Sequence, residues 1–379
     1  AMKIFISRIT DRISGAEIYN LNLLKGLRKY KDIEVIFSTD NKELNIEVKK
    51  MGINSVLVRT GISEIATKKK LLTNIPRFYT YFKIYFQLFQ KFNDVEIFIF
   101  HSMTEKLFLS FFLISKKKKV VWVEHGPIFK ANWFYLIKLF YKLLSLIVTK
   151  IIVVSEDSRL DLISHGISER KVVVIPPGVD TAYFYPSTLQ QKEIIKDKLT
   201  FNNKFVIGYV GTMTREKGLK EFIDLAVFLT KKKYDVRFLF VGDGPDLEWA
   251  MVKINKYRLK KKVFFTGYQN DVRNFYQAMD IFFFPTHHLE GISLALLEAS
   301  AMGLLIVASD KGGNREIVTS KTGFLYKSAS SKFIGNFISK AIENKELFVT
   351  TKKNARKLVE KKYTIDITTK TFYNFLENL

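Results

Sequence analysis

The feature that most restricts the fold is a repeated alternation, in which short unbroken apolar runs are separated by helical patterns along nearly the whole chain. In the first half the runs are KIFIS (3–7), IEVIF (33–37), VEIFIF (95–100), VVWVE (120–124), KIIVVS (150–155) and VVVIP (172–176). A second set follows: FVIGYVG (205–211), VRFLFVG (236–242), VFFTG (263–267), DIFFFP (280–285), LLIVAS (304–309) and GFLY (323–326). Runs of Val, Ile and Phe without polar alternation are what strands look like when a parallel sheet is covered on both faces. The stretches between them, about ten to fifteen residues long, carry helical patterning, so the repeating unit is βαβ.

The two sets are divided by IPPGVDTAYFYPS (175–187), which holds three of the seven prolines. Proline fixes φ and lacks an N–H, so this segment reads as a linker. A length of 379 residues also favours two domains over one. The expected fold class is α/β, with two doubly wound Rossmann-like domains over residues 1–180 and 181–362. Ligands of such sheets bind beyond the carboxyl ends of the strands, and a cleft between two of them would face both sets of strand ends.

Composition removes several chemistries. With no Cys there is no disulfide framework, no thiolate zinc site and no thiol nucleophile. The five His form no HxH or HxxxH pair, so no metal site is expected. Residues 2–7 (MKIFIS) read as a first strand rather than a signal peptide, and a cytoplasmic enzyme is the expectation. The net charge is +24, and residues 65–150 alone hold 15 Lys and Arg against 4 Asp and Glu. Such an excess attracts nucleic acid, anionic lipid or a phosphorylated substrate, although a lysine-rich proteome would produce it as well. Two helical segments stand out here. PRFYTYFKIYFQLFQKFN (76–93) places Phe78, Phe82, Tyr85, Phe86 and Phe89 on one stripe, and NWFYLIKLFYKLLSLIVTK (132–150) is apolar apart from Lys138 and Lys142, which mark a wet face. Both are expected to pack on the first sheet, with an interfacial membrane surface as the alternative.

Three strand ends carry chemistry. In GYVGTMTREKGLKEFIDLA (208–226) a strand ends at Gly211, a loop with Thr212, Arg215, Lys217 and Gly218 follows, and an amphipathic helix begins. Strand, glycine loop and helix N-terminus together bind phosphate through free N–H groups and the helix dipole, and Lys217 and Arg215 add charge. The loop is neither a Walker A sequence nor GxGxxG, and a solvated helix start is the plain alternative. Gly242 in VGDGPDLEWA (241–250), and Gly267 with Tyr268 in TGYQNDVRNFYQAMD (266–280), would let a ligand approach backbone at two further strand ends. HHLEGISLALLEASAMG (287–303) places Glu290 before a helix starting near Ile292 or Ser293, and Glu298 in its second turn among leucines. A carboxylate in that position must be hydrogen-bonded or paired. The plain alternatives are a dipole-favoured acid for Glu290 and a structural ion pair for Glu298.

These segments, in order, resemble the retaining glycosyltransferases of the GT-B fold, family-4 type, which carry an E-x7-E pattern matched by EGISLALLE. The resemblance runs through SGAEIYNLNLLKGL (14–27), EHGP (124–127), VVSEDSRLDLISHGISERKVVVIPPGVD (153–180), GYVGTMTREKG, FVGDGP, PTHHLEGISLALLEASAMGLLIVAS and KGGNREIV (311–318). It implies that the second domain binds a nucleotide-diphosphate sugar as substrate, a UDP-sugar ahead of a GDP-sugar, with no cofactor and no metal. Glu298 would hold the ribose hydroxyls, and Glu290 would lie near the donor sugar. Backbone around Gly291, Ile292 and Ser293 would meet sugar or phosphate, and Lys217 would bind the diphosphate. The base would lie near Gly242 and Tyr268. Gly15 would approach the reaction centre, and His125 would lie near the sugar and acceptor. The catalytic set so implied is His125, Glu290, Lys217 and Arg215. Residues 363–379 would return to the first domain. One departure is Thr212, where the family often has Arg; Arg215 would then supply the second charge.

The implied activity is transfer of a hexose-type sugar to a hydroxyl of a glycan or glycolipid acceptor, lipid-linked or polysaccharide. The basic, aromatic first half adds the expectation of an anionic membrane surface as a further partner, with the protein peripheral on the inner face of the cell membrane. An epimerase or phosphorylase would share the fold. A basic nucleic-acid-binding protein or a non-catalytic partner subunit are the rivals from other classes. No recognised nucleic-acid motif is present, so nucleic acid is not an expected partner.

Overall fold

The computed structural model describes residues 2–62, 74–129, 135–202, 204–327 and 330–379. The chain forms two units, Ala1–Gly178 with Ile365–Leu379, and Val179–Thr364. The crossings fall two residues from the expected limits at each end. They are tied together within the second unit, where Val179 bridges Thr364 and its N–H donates to Tyr363 O at 2.8 Å.

Unit 1 is built on β1 (Met2–Arg8), β2 (Ile33–Thr39), β3 (Asn54–Leu57), β4 (Ile97–Phe100), β5 (Lys119–Glu124), β6 (Lys150–Val153) and β7 (Val172–Val174), all parallel, in the order β3-β2-β1-β4-β5-β6-β7. Successive side chains point to opposite faces of a strand, and both faces are covered here. Phe5, Phe98, Phe100 and Trp122 pack beneath helices Phe78–Lys91, Met103–Ser115 and Tyr135–Ser145. Ile4, Ile6, Ile97 and Ile99 pack beneath Gly15–Leu27, Lys42–Lys50 and the returning helix Ile365–Glu377. Gly26 lets that last helix dock, since a Cβ there would stand 2.0 Å from Thr369 Oγ1.

Unit 2 holds β8 (Phe205–Val210), β9 (Val236–Val241), β10 (Val263–Phe265), β11 (Ile281–Phe284), β12 (Leu305–Ser309) and β13 (Phe324–Tyr326), parallel, in the order β10-β9-β8-β11-β12-β13. Both sheets therefore reverse direction once, between β1 and β4 and between β8 and β11. Loops leaving the carboxyl ends of those strands diverge and leave room for a ligand.

Two helices differ from expectation. On Phe78–Lys91 the buried stripe is Tyr81, Tyr85, Leu88 and Phe89, while Phe82 and Phe86 are 42% and 49% exposed. Tyr135–Ser145 buries Ile137, Tyr141 and Ser145, but its outer face presents Leu139, Phe140 and Leu143 beside the exposed Lys142. Residues 132–134 of the predicted segment lie outside the described residues.

Candidate active site

In unit 2 the phosphate-loop reading acquires a geometry. Directly after β8 comes Gly211 (φ 150°), and the chain turns through the 3-10 helix Arg215–Lys217 into the helix Leu219–Lys231. Thr214 caps the short turn, accepting from Lys217 N through its hydroxyl at 3.3 Å. Gly218 joins the two helical pieces in the left-handed region (φ 85°), and a Cβ there would stand 2.1 Å from Pro285 O. That close approach sets the loop after β8 against the loop after β11. The second loop is fixed in turn: His287 N and His288 N donate to Glu216 O at 2.8 and 3.1 Å, Ser309 Oγ donates to Thr286 O at 2.6 Å, and Gly313 N donates to Glu290 O at 3.1 Å.

The result is a direct ion pair between Lys217 Nζ and Glu290 Oε1, with the two side chains only 24% and 20% exposed. A cation and an acid from the loops after β8 and β11 thus meet beyond the carboxyl ends of those strands. Gly218→Ala introduces both the clash and left-handed strain. It should cost about 2 kcal/mol in urea or thermal unfolding and disturb the placement of Lys217. Wild-type stability in this variant would show that the approach to Pro285 does not hold the loop.

The other expected residues are distributed as follows. Arg215 is turned to Asp246, with Nε to Oδ1 at 3.2 Å, and its guanidinium lies over the Trp249 ring at 5.8 Å. Thr212 O accepts from Tyr209 OH at 3.1 Å. Gly211 and Gly242 pack on each other, a Cβ on Gly242 standing 2.2 Å from Gly211 O, so these glycines serve loop-to-loop contact. Gly242 N donates to Gly267 O at 2.9 Å, and the Tyr268 ring beyond it is 61% exposed. Gly291, Ile292 and Ser293 are buried ahead of the helix Leu294–Ala301, whose N-cap Ser293 makes no side-chain cap bond. Glu298 lies in the second turn of that helix and accepts from Tyr276 OH at 2.9 Å. Burial pushes its pKa up to about 7, and the Tyr276 hydrogen bond only partly opposes this.

In unit 1 the loops after β1, β4 and β5 assemble a second cluster. His101 follows β4 and His125 follows β5. Their rings stack at 5.2 Å and 21°, with His101 Nδ1 and His125 Nε2 2.9 Å apart and Tyr19 edge-on to His125. One hydrogen bond between two imidazoles needs one donor and one acceptor nitrogen, which suits neutral rings. Both are kept neutral: burial lowers the pKa of each, that of His125 to about 3, and the Arg8 and Lys106 cations add to the effect. Arg8, at the end of β1, donates from Nε to Glu17 Oε1 at 2.7 Å. Glu17 Oε2 accepts from Ser14 N and Ser14 Oγ at 2.8 and 2.6 Å, closing a capping box at the start of Gly15–Leu27. Gly15 itself is exposed, with nothing within 4 Å of a Cβ position. Sequence reasoning passed over Arg8, Glu17 and His101. For Arg8 and His101 the available signal was position, each standing at or directly after the carboxyl end of a strand beside the reversal of order.

Two Rossmann-like parallel sheets, each with polar loops at its switch point, define the GT-B class of fold. The solved structure of Anabaena Alr3699/HepE in complex with UDP and glucose has this fold, with a TM-score of 0.86 at 18% identity over 100% of both chains. Residues 13–183 match the family model described as Glycosyltransferase Family 4, and residues 190–358 the model described as Glycosyl transferases group 1. The chain belongs to this glycosyltransferase family. It is similar to the capsular polysaccharide biosynthesis glycosyltransferase CapM of Staphylococcus aureus, at 28% identity over 63% of this chain and 64% of that protein. It is also similar to the UDP-Gal:alpha-D-GlcNAc-diphosphoundecaprenol alpha-1,3-galactosyltransferase of Escherichia coli, at 30% identity over 63% of this chain and 64% of that protein. The chain thus spans 64% of the length of these two relatives.

Proposed function

We propose that the chain is a retaining glycosyltransferase that moves a hexose-type sugar from a UDP-sugar, ahead of a GDP-sugar, to a hydroxyl of a lipid-linked or polysaccharide acceptor. The observation that carries this is the meeting of Lys217 and Glu290 at the β8/β11 switch point, with Glu298 in the second turn of the helix that follows. Lys217 binds the donor diphosphate and stabilises its charge as the bond to the anomeric carbon breaks. Arg215 is the second cation of the loop. Glu290 and the backbone of Gly291, Ile292 and Ser293 meet the sugar, and Glu298 accepts hydrogen bonds from the ribose. The base lies by Gly242 and Tyr268. The acceptor oxygen bonds to the anomeric carbon on the face the diphosphate leaves, and its proton passes to the departing phosphate oxygen. His125 and the Gly15 turn, in unit 1, are assigned to the acceptor. The names of relatives support the substrate class: the Escherichia coli protein above uses UDP-Gal, and a Mycobacterium tuberculosis relative is a GDP-mannose-dependent alpha-mannosyltransferase.

A panel of UDP-, GDP- and ADP-sugars followed by thermal shift identifies the nucleotide, because a ligand that binds only the native state raises Tm. No shift with any of them would sink the donor assignment. Glu298→Ala should weaken donor binding by about ten- to a hundredfold, the worth of hydrogen bonds to a charged group. Ribose hydroxyls prefer the ionised carboxylate, so donor affinity should strengthen as pH rises through about 7, and Glu298→Gln should remove that dependence. Affinity that is flat across this range in the wild type would count against the ribose role.

A further inference from the structure

The proline-rich segment that opens unit 2 carries three aromatics whose roles divide. In DTAYFYPS the middle ring turns inward, Phe184 packing edge-on against the buried Tyr276. Tyr183 and Tyr185, one residue to either side, stay exposed. Both rings receive the same cation. The Arg273 guanidinium lies over Tyr185 at 4.3 Å and over Tyr183 at 5.2 Å. Stacking occupies the faces of a guanidinium but none of its N–H donors, which lie in its plane. The Arg273 side chain makes no hydrogen bond or ion pair to another described residue, and even its buried Nε has no acceptor. The rings therefore fix the orientation of a fork of donors that the protein itself does not use.

Arg273 borders a cavity of about 520 Å³ between its own helix, Arg273–Ala278, and the helix Leu189–Lys198, a volume within the range of small-molecule sites. Lys192 and Lys196 anchor the second helix on the Asp280 carboxylate, each at 2.7 Å. Lys198, in its last turn, is exposed and unpaired and stands at the cavity. Gln277 lines the same cavity at only 7% exposure, and its amide bonds to no described residue. The one acid of the lining, Asp271, is already engaged, by Arg273 N at 2.9 Å and by the Tyr183 hydroxyl. None of the residues proposed for the donor lines this cavity. We propose that it binds an anionic sugar, a hexuronate or a hexose phosphate. The acidic group takes the terminal N–H groups of Arg273 and the Lys198 ammonium. A sugar hydroxyl meets the Gln277 amide, since each can both give and accept a hydrogen bond. Ile194 and Phe275 offer apolar contact to the ring carbons. A bare inorganic anion would leave Gln277 unpaired and most of the cavity empty, and a neutral sugar would leave Arg273 unpaired.

The test is calorimetric titration of the full chain with glucuronate, glucose 6-phosphate, glucose and inorganic phosphate. At least one of the two anionic sugars should bind about tenfold or more tighter than glucose and than phosphate, and the better of the two names the acidic group. Arg273→Gln should weaken that binding by about tenfold or more, and Arg273→Lys should not restore it, because an ammonium lacks the fork. Lys198→Gln leaves the tyrosine stack untouched and should still weaken binding by about two- to fivefold, so the cavity stays testable even if Arg273→Gln unfolds. Arg273→Gln, where folded, and Lys198→Gln should both keep the Tm shift given by UDP. The proposal is overturned if neither anionic sugar binds, if glucose or phosphate binds equally, or if the Lys198 and folded Arg273 variants bind as the wild type does. It is also overturned if UDP competes with the sugar, which would place that sugar in the donor site. Sugar binding without any nucleotide shift would sink the donor reading alone, and the reverse would sink this cavity alone.

Discussion

Lys217→Ala should lower kcat by about two to three orders of magnitude while leaving the fold intact. Under the proposed reaction the departing diphosphate gathers charge as its bond to the sugar breaks, and a preorganised cation acts on that developing charge. Removal of one such donor typically costs about a hundred- to a thousandfold in rate. Stability should barely move. The Lys217–Glu290 pair is partly open to solvent, 24% and 20% exposed, and pairs of that kind contribute about 1 kcal/mol or less. The separation is what makes the variant informative, because a Tm within a degree or so of wild type excludes unfolding as the cause of lost turnover. Arg215→Ala is the natural comparison. Its guanidinium is held by Asp246 and Trp249, and a swing toward phosphate must break those contacts, so its loss should be smaller. Full activity in Lys217→Ala would remove this lysine from the mechanism and leave its pairing with Glu290 a structural contact.

That pairing shows where sequence reasoning stops. Twelve of the thirteen strands among the described residues were legible because burial on both faces leaves short unbroken runs of Val, Ile and Phe. The exception, β3, is an edge strand of sequence NSVL whose Ser55 bonds to Asn45 Oδ1 at 2.8 Å; half exposed and partly polar, it has no such run. The positions of the loop after β8 and of the two glutamates were also legible, each from its own strand end. That Lys217 touches Glu290 was not, because it depends on Gly218 lying against Pro285, a contact between segments far apart in the chain. The helix Tyr135–Ser145 packs on the sheet as expected, but its outer face was not foreseen. It carries two apolar stripes in eleven residues, and periodicity cannot say which one faces the sheet. Arg8 and Glu17 were missed because a strand-terminal arginine and a first-turn glutamate are both ordinary until the fold buries them together.

Arg8→Met should destabilise the protein by about 3–5 kcal/mol, the cost of leaving a buried charge without its partner. Glu17 is fully buried, and once Arg8 is gone the Ser14 N–H and hydroxyl still donate to it but no cation faces it there. In the wild type burial opposes its ionisation, but the Arg8 guanidinium and the Ser14 hydrogen bonds outweigh burial and hold its pKa below 4.5. A depressed carboxylate contributes stability that is present above its unfolded pKa and lost as pH falls through the folded one, so the wild type should lose this contribution only in acid, below about pH 4.5. In Arg8→Met the sign reverses. Burial without the cation raises the Glu17 pKa, so the deficit should be greatest in alkali and shrink as pH falls and the carboxyl takes up a proton. Arg8→Met with Glu17→Gln removes both charges, keeps an acceptor for Ser14, and should recover most of the lost stability at every pH. Urea unfolding of the three proteins at acid and alkaline pH measures all of this. A deficit that is independent of pH and not rescued by the double variant would mean that Arg8 acts by packing rather than charge. Arg8 also helps keep His125 neutral, after burial itself. Glu17 raises the His125 pKa but Arg8 lowers it more, so in the double variant it should still rise from its depressed value, and NMR titration of that imidazole reads the change separately from stability. A fold restored without the His125 shift would confine Arg8 to holding the Gly15–Leu27 helix, whereas both together make it the residue that joins the turn after β1 to the histidine pair.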